Sequence, residues 1–463
     1  MRYLFRLLIC FNFIFVAVLI GEVHESNKNE SYVVSDIAPL KKVIVLTPGK
    51  DFSRLSYQHY SDRIYGGLTY DDGTISQHEE MVKILKDNGV DVLNVIELLD
   101  DAITNARKEG KLGQSMKEIF PSSFPLIKEN IKGLDSLALL GRRDKFYYHH
   151  DAEGRFVPLI RPLIWFFYTR DFAVTTPKGV IITNSKTNRR RQEHSIGRFM
   201  FTFAQKLKDY KIVFDAEKEG VRCEGGDILV KDENTILMGI NNFSDAEAAK
   251  KIAQTLNMDV IGVSMPPYKD FSGTNIEIMH LDTVFNLVDK DKALTVPYLF
   301  EKKYAQNNPI VKTLKGINEG LKAERKKAKE ESDYSFSLAK AIKYIPQVGW
   351  LTHFKAGSGE AVELNKKLVD YLIDLGYEIV WVGGERGNLR EDKYLLERVL
   401  YEQSLQAANV VQLAPGKVLS YAHNKYTIQA LRNKGIAVLS FEGKYLADNL
   451  GGPHCLTMPL ERR

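Results

Sequence analysis

Cysteine is scarce in this chain: three in 463 residues, at positions 10, 223 and 455. Three residues so far apart offer neither a zinc-binding pair nor a disulfide framework, so stability has to come from an ordinary hydrophobic core. Net charge is scarce too. Sixty-four Lys and Arg against 59 Asp and Glu leave a formal +5, too slight an excess to imply nucleic-acid binding. Long apolar runs are missing as well. The N-terminal run from Leu7 to Ile20, broken by Asn12, is shorter than the roughly 20 residues of a spanning helix, so no stable membrane span is expected. What is present is 44% hydrophobic residues, ample for a substantial core and incompatible with disorder or a membrane bundle. The length allows one large domain or two to three smaller ones.

The N-terminal run has a different meaning. Arg2 and Arg6 precede it, and Glu22 to Tyr32 turns polar, which gives a positive, then apolar, then polar order. This predicts a signal peptide over residues 1–25, cleaved near Ala17 to Gly21, and hence an exported protein. Ile9 before Cys10 is too bulky for a lipoprotein cleavage site. The mature chain would keep Cys223 and Cys455, both read as free thiols.

Beyond residue 33 the pattern is α/β. The β-branched stretch that ends at Pro48-Gly49 is a strand, and Gln77 to Asn88 is an amphipathic helix with Met81, Ile84 and Leu85 on one face. Asn88-Gly89 stops it before a strand over Val90 to Val95. The same strand-helix-strand unit returns with a helix over Asp245 to Asn257 and strands over Val260 to Val263 and Val284 to Val288. A helix over Glu360 to Leu375 with a strand over Glu378 to Val382 is a third copy. A fourth has a helix over Lys425 to Lys434 and a strand over Ile436 to Phe441. Recurrence of one unit argues for a repeat architecture, with sheets around an axis sharing one central site. Residues 97–145 break the pattern and read as a helical insertion. Residues 302–343, rich in Lys and Glu, read as a second one, either a lid or partner-binding helix or a solvated helix with salt-bridged faces.

Four segments carry chemistry. Gly451-Gly452-Pro453-His454-Cys455 sets a thiol between backbone freedom and a rigid turn, which suits a nucleophile, although a lone cysteine more often packs as a small core hydrophobe. Glu224-Gly225-Gly226-Asp227 precedes the strand Ile228 to Val230, and its glycines allow a tight turn that aims both carboxylates into one cavity. In His280-Leu281-Asp282, strand alternation would put His280 and Asp282 on one face, as site residues or as a satisfied core pair. Arg170-Asp171 follows the apolar run Leu163 to Tyr168, where a buried ion pair is the plain alternative.

In this order, with Tyr168-Thr169-Arg170-Asp171 first and the cysteine near the C-terminus, the segments resemble the arginine deiminases of the pentein superfamily. The likeness runs through Thr47-Pro48-Gly49, Tyr70-Asp71-Asp72, His78-Glu79, Asn409 to Pro415-Gly416 and Tyr421 to Thr427. It implies a single α/β propeller domain over 33–463, built of repeated β-β-α-β units, with the helical insertion between its first two modules. It also implies hydrolysis of L-arginine to L-citrulline and ammonia, with no metal or organic cofactor. Carboxylates suit this task because a guanidinium is planar and cationic and takes bidentate partners. By the resemblance Asp171 and Asp282 clamp the guanidinium, and Cys455 attacks its carbon to give an amidino-cysteine intermediate. His280 first protonates the departing ammonia and then activates water, Glu224 orients it, and Asp227 supports the same network at the substrate. Arg190, within Arg189-Arg190-Arg191, falls where the family binds the substrate carboxylate, although a solvated basic run would look the same.

Two positions depart from the family. Trp165 stands in place of an asparagine and Phe243 in place of a second arginine. Both affect recognition of the amino-acid end of arginine and neither affects the chemistry, with Arg222 and Lys186 as candidate replacements. They leave open another guanidine substrate (agmatine, peptidyl or methylated arginine) or an amidinotransferase reaction. A catalytically silent pentein binding protein is the remaining reading, against which stand the retained Cys455, His280, Glu224 and both aspartates. The partner expected is a small guanidine, with homo-oligomer formation open.

Overall fold

Short β-branched runs alternate with amphipathic helices along this chain, and most of the runs fall into one recurring pairing pattern. The computed structural model describes residues 32–49, 71–142, 148–150, 152–154, 156–160, 163–185, 188–267, 278–328 and 342–463. Tyr32 to Arg463 form one compact unit. The signal peptide expected over residues 1–25 lies outside the described residues. No helix of the described residues is long and apolar enough to cross a membrane.

Five units share one topology, in which a first strand lies antiparallel to a second and the second runs parallel to a third across a helix. Parallel neighbours need such a crossover, whereas antiparallel ones need only a short turn. One unit spans Ala173–Thr176, Gly179–Ile182 and Ile212–Asp215, with helix Asn188–Phe203. The next spans Ile228–Asp232, Thr235–Ile240 and Asp259–Ser264, with Ala246–Leu256. Another spans Phe285–Asp289, Lys292–Thr295 and Glu378–Trp381, with Leu368–Asp374. A fourth spans Val411–Ala414, Lys417–Tyr421 and Ala437–Phe441, with Lys425–Asn433. The last unit joins the two ends of the described chain. Met458–Arg462 pairs antiparallel with Leu40–Val45, which runs parallel to Asp91–Asn94 after helix Asp71–Asp87.

The helix read from Gln77 begins six residues earlier, at Asp71, with Asp71 and Asp72 in its first turn, where acidic groups meet the positive end of the helix dipole. The helix read over Glu360 to Leu375 is two elements. Ala361–Lys367 is an antiparallel edge strand that, with Trp350–Phe354, extends the second sheet described above to five strands, and only Leu368–Asp374 is helical. Exposure along Ala361–Lys367 alternates in the manner of a strand with one open face, and Asn365 takes a left-handed φ of 49° that no helix admits.

After Asp91–Asn94 the chain runs through helices Val95–Lys108, Leu112–Ile119, Phe124–Glu129 and Ser136–Leu139. The first is capped by Asn94, whose side chain accepts from the Ile96 N–H, and it buries Leu98, Leu99, Ala102, Ile103 and Ala106. Within the Lys-rich stretch, helix Pro309–Ala328 packs through Ile310 and Leu314, and residues 329–341 lie outside the described residues.

Candidate active site

The turn leading into the first strand of each unit carries one or more polar side chains. Thr169–Phe172 leads into Ala173 and holds Asp171, while Gly225–Asp227 leads into Ile228, with Glu224 just before it. Leu281–Thr283 leads toward Phe285 and holds Asp282, with His280 immediately ahead. A turn over 453–456 sets Cys455 before Met458–Arg462, and another over 405–408 sets Asn409 before Val411–Ala414. Strand alternation therefore does not present His280 and Asp282, as the sequence suggested. A 3₁₀ turn presents them, with His280 extended ahead of it at φ −121°.

These side chains meet in the interior. The Cys455 thiol, 4% exposed, lies 3.5 Å from Asp282 Oδ2 and receives Asn409 Nδ2 at 3.1 Å. Asp282 Oδ2 also pairs with His454 Nδ1 at 2.8 Å, and its Oδ1 is buried with no partner among the described residues. His280 Nε2 meets Glu224 Oε2 at 3.0 Å, and its Nδ1 is 3.7 Å from Asp171 Oδ1. Asp171 Oδ1 accepts from the Gly226 N–H at 3.0 Å, which ties two lead-in turns together. Asp227 faces inward to the scaffold, where it takes Ser244 Oγ at 2.6 Å, the Leu281 N–H at 3.0 Å and Asn241 Nδ2.

The glycines of the Glu224 turn serve close approach, not an unusual φ. A Cβ at Gly225 would stand 1.9 Å from the Arg170 carbonyl oxygen, and one at Gly226 would stand 2.5 Å from His280 Nδ1. Arg170 does not pair with its neighbour Asp171. Its Nη1 lies 3.6 Å from Asp36, its Nε donates to the His454 carbonyl and its N–H to the Cys455 carbonyl, so it grips the cysteine turn.

A sequence model of the family described as arginine deiminase matches residues 63–462. The chain belongs to the arginine deiminase family. It is 25% identical over 465 residues to the arginine deiminase of Streptococcus agalactiae, covering 93% of this chain and 98% of that protein. It is 26% identical over 459 residues to the one from Mycoplasma capricolum, covering 93% and 96%. Against the solved structure of unliganded AgrE the TM-score is 0.49 at 12% identity, covering 91% of this chain and 39% of that one.

The positions where this member departs from the arginine deiminase pattern have definite surroundings. Phe243, 8% exposed, packs edge-on against His280 at 5.3 Å between ring centroids. Phe243 therefore touches His280 itself, a contact that the sequence reading did not foresee. Trp165 offers its carbonyl to Arg190 Nη2 at 3.4 Å. Arg222 pairs with Asp245 at 3.2 Å, and Lys186 lies outside the described residues. Arg190 is spent on carboxylates. Its Nη1 lies 2.6 Å from Asp171 and 3.6 Å from Glu224, and its Nε donates to Glu193 at 2.8 Å. Cys223 is free, buried and outside this cluster.

Burial and charge compete at every group. Burial lowers the basicity of His280, but Asp171, Asp227 and Glu224 outweigh it and bring it up to about 10. Burial opposes ionisation of Glu224, yet the His280 bond and charge, with Arg190, hold it down at about 2. Asp282 rises to about 7, through burial and the nearby Asp171. Burial, then Asp282 and Asp171, push the Cys455 thiol well above its usual range. The surroundings thus favour the protonated form of both the His280 imidazole and the Cys455 thiol. Asp171, Glu224 and His280 also keep donor atoms within 4.8 Å of one another, a spacing that could hold a metal ion, and here the Arg190 guanidinium meets two of those charges.

Sequence reasoning missed His454, Asn409, Ser244 and Glu193. The first two lie inside quoted motifs, so position relative to the lead-in turns was the available signal.

Proposed function

We propose that this protein hydrolyses L-arginine to L-citrulline and ammonia through a covalent intermediate on Cys455. The observation that carries the reading is a buried thiol 3.5 Å from one carboxylate, Asp282, in a cluster whose histidine lies 3.0 Å from Glu224 and 3.7 Å from Asp171. A guanidinium bound between Asp171 and Asp282 would supply the positive charge that Cys455 lacks, so that the thiol loses its proton to solvent as substrate binds. The thiolate adds to the guanidinium carbon. His280 gives its proton to the departing nitrogen, and ammonia leaves. Neutral His280 then takes a proton from water, whose oxygen attacks the amidino carbon and expels the thiolate as citrulline forms. Glu224 compensates the imidazolium in both half-reactions.

The reading is tested by measuring citrulline and ammonia across a panel of guanidines, with Cys455→Ala as control. Mass spectrometry of trapped enzyme should find an amidino adduct on the peptide His454-Cys455-Leu456. Labelling of Cys223 instead would sink it.

A second reading keeps the chemistry and changes the substrate to a guanidine without an α-carboxylate, such as agmatine. The engagement of Arg190 with Asp171, Glu193 and Glu224 favours it, since that cation is then not offered to a carboxylate. Comparing kcat/KM for arginine and agmatine decides between the two.

We infer further that the five sheets surround one axis as a propeller, which their common strand order and the contacts among their lead-in turns support. The export expected from residues 1–25 is checked by N-terminal sequencing of native protein, which should begin between about residue 18 and about residue 30.

A further inference from the structure

Four of the five lead-in turns supply the groups of the proposed chemistry: Asp171, the pair Glu224 and Asp227, the pair His280 and Asp282, and Cys455. The fifth supplies Asn409, two residues before its strand and fully buried. Its amide grips the cysteine turn three ways. Oδ1 accepts from the Cys455 N–H at 3.0 Å, while Nδ2 donates to the Asp282 carbonyl at 3.1 Å and to Cys455 Sγ at 3.1 Å.

The orientation of that amide is forced. A backbone N–H can only donate and a backbone carbonyl can only accept, so the nitrogen has to face Asp282 and the sulfur. One of its hydrogens goes to the carbonyl and the other is left for the sulfur. The Asn409 backbone joins the grip by accepting from the His454 N–H at 3.2 Å. Gly452 closes the site from the other side. A Cβ there would stand 2.6 Å from Asn409 Cβ, so only glycine lets the two segments meet. The Gly452 backbone and the Asn409 amide are also the two contacts that pull the buried thiol toward ionisation, against burial and two aspartates.

Resting on the assignment of Cys455 as nucleophile, we propose that Asn409 is a further catalytic residue, whose side-chain N–H, with Gly452, cradles the Cys455 sulfur and stabilises it as thiolate. The neutral thiol can give its own proton to Asp282, but the thiolate needs donors, and the neighbouring carboxylates offer none. A hydrogen bond to a charged group is worth about 1.5–3 kcal/mol, which corresponds to roughly 1–2 units in the thiol pKa.

The test is the rate of iodoacetamide alkylation at Cys455 as a function of pH, read by peptide mass spectrometry, with buried Cys223 as internal control. Alkylation needs no guanidine, so it reports on Asn409 even if the substrate assignment fails. That separate failure would appear as a missing amidino adduct in the wild-type protein. Asn409→Ala should alkylate about 10–100-fold more slowly at pH 8, with the midpoint raised by roughly 1–2 units and Cys223 labelling unchanged. Asn409→Asp keeps an acceptor for the Cys455 N–H but puts oxygen against the sulfur, so it should stay slow. Wild-type rate and midpoint in either variant would overturn the assignment. So would faster labelling of Cys223 and Cys455 together, which marks Asn409 as packing alone.

Discussion

Glu224→Gln keeps the outline of a buried side chain and removes one charge from those that hold His280 protonated. Glu224 Oε2 lies 3.0 Å from His280 Nε2, and the amide oxygen of glutamine can keep a neutral hydrogen bond there. Lost are the charge assistance, about 1–2 kcal/mol between a charged and a neutral hydrogen bond, and part of the through-space attraction. At 1.36 kcal/mol per unit, His280 should fall from about 10 by roughly 1–2 units. The chain has ten histidines, so the assay is a ring-labelled NMR titration, with the His280 signal assigned by its absence in a His280→Asn variant. Stability supplies an independent readout. A native pKa above the unfolded value of 6.5 means that the protonated His280 contributes stability in full below pH 6.5, and that this stability is lost as pH rises toward 10. In Glu224→Gln that loss should be smaller and end at lower pH. An unmoved His280 midpoint would refute the view that Glu224 holds the proton, and would leave Asp171 and Asp227 as its anchors.

Gly226→Ala places a methyl where His280 Nδ1 stands 2.5 Å away, so kcat should drop by at least about 100-fold through a displaced imidazole. Circular dichroism should still show a folded protein. Phe243→Arg sets a guanidinium against the His280 ring. It should lower His280 basicity and cut kcat/KM for arginine and agmatine alike by about tenfold or more, and a selective gain for arginine would restore the carboxylate-binding role to that position.

Much of this site was legible as strings because its residues come in short lead-in turns with unusual composition: paired glycines, a His-x-Asp, a cysteine between prolines. The sites of the chain's repeats were legible because hydrophobic period and turn residues agree over most units. Where the two disagree the sequence misled. Glu360 to Lys367 contains helix formers, but its alternating exposure on a sheet edge made it a strand. The partner of Arg170 could not be read either, because adjacency in sequence suggested Asp171 while the fold brings Asp36 from 134 residues away. The contacts of Asn409 and Ser244 were hidden for the same reason, although Asn409 itself stands in a quoted motif. An amide or hydroxyl acquires a role only from what it faces, and Asn409 faces a sulfur 46 residues later.

The sheet shared by Leu40–Val45 and Met458–Arg462 places Cys455, the proposed nucleophile, under the control of a pairing between strands more than 400 residues apart. Cys455 sits three residues ahead of the strand that makes this contact, and the Val34 N–H reaches across to the Arg462 carbonyl at 3.2 Å. Such a pairing carries the full entropy of closing a loop of hundreds of residues, so it belongs to the late steps of folding. Competence of the proposed chemistry would then appear only when this pairing forms, and unzipping of that one strand would displace Cys455 before the other four units open.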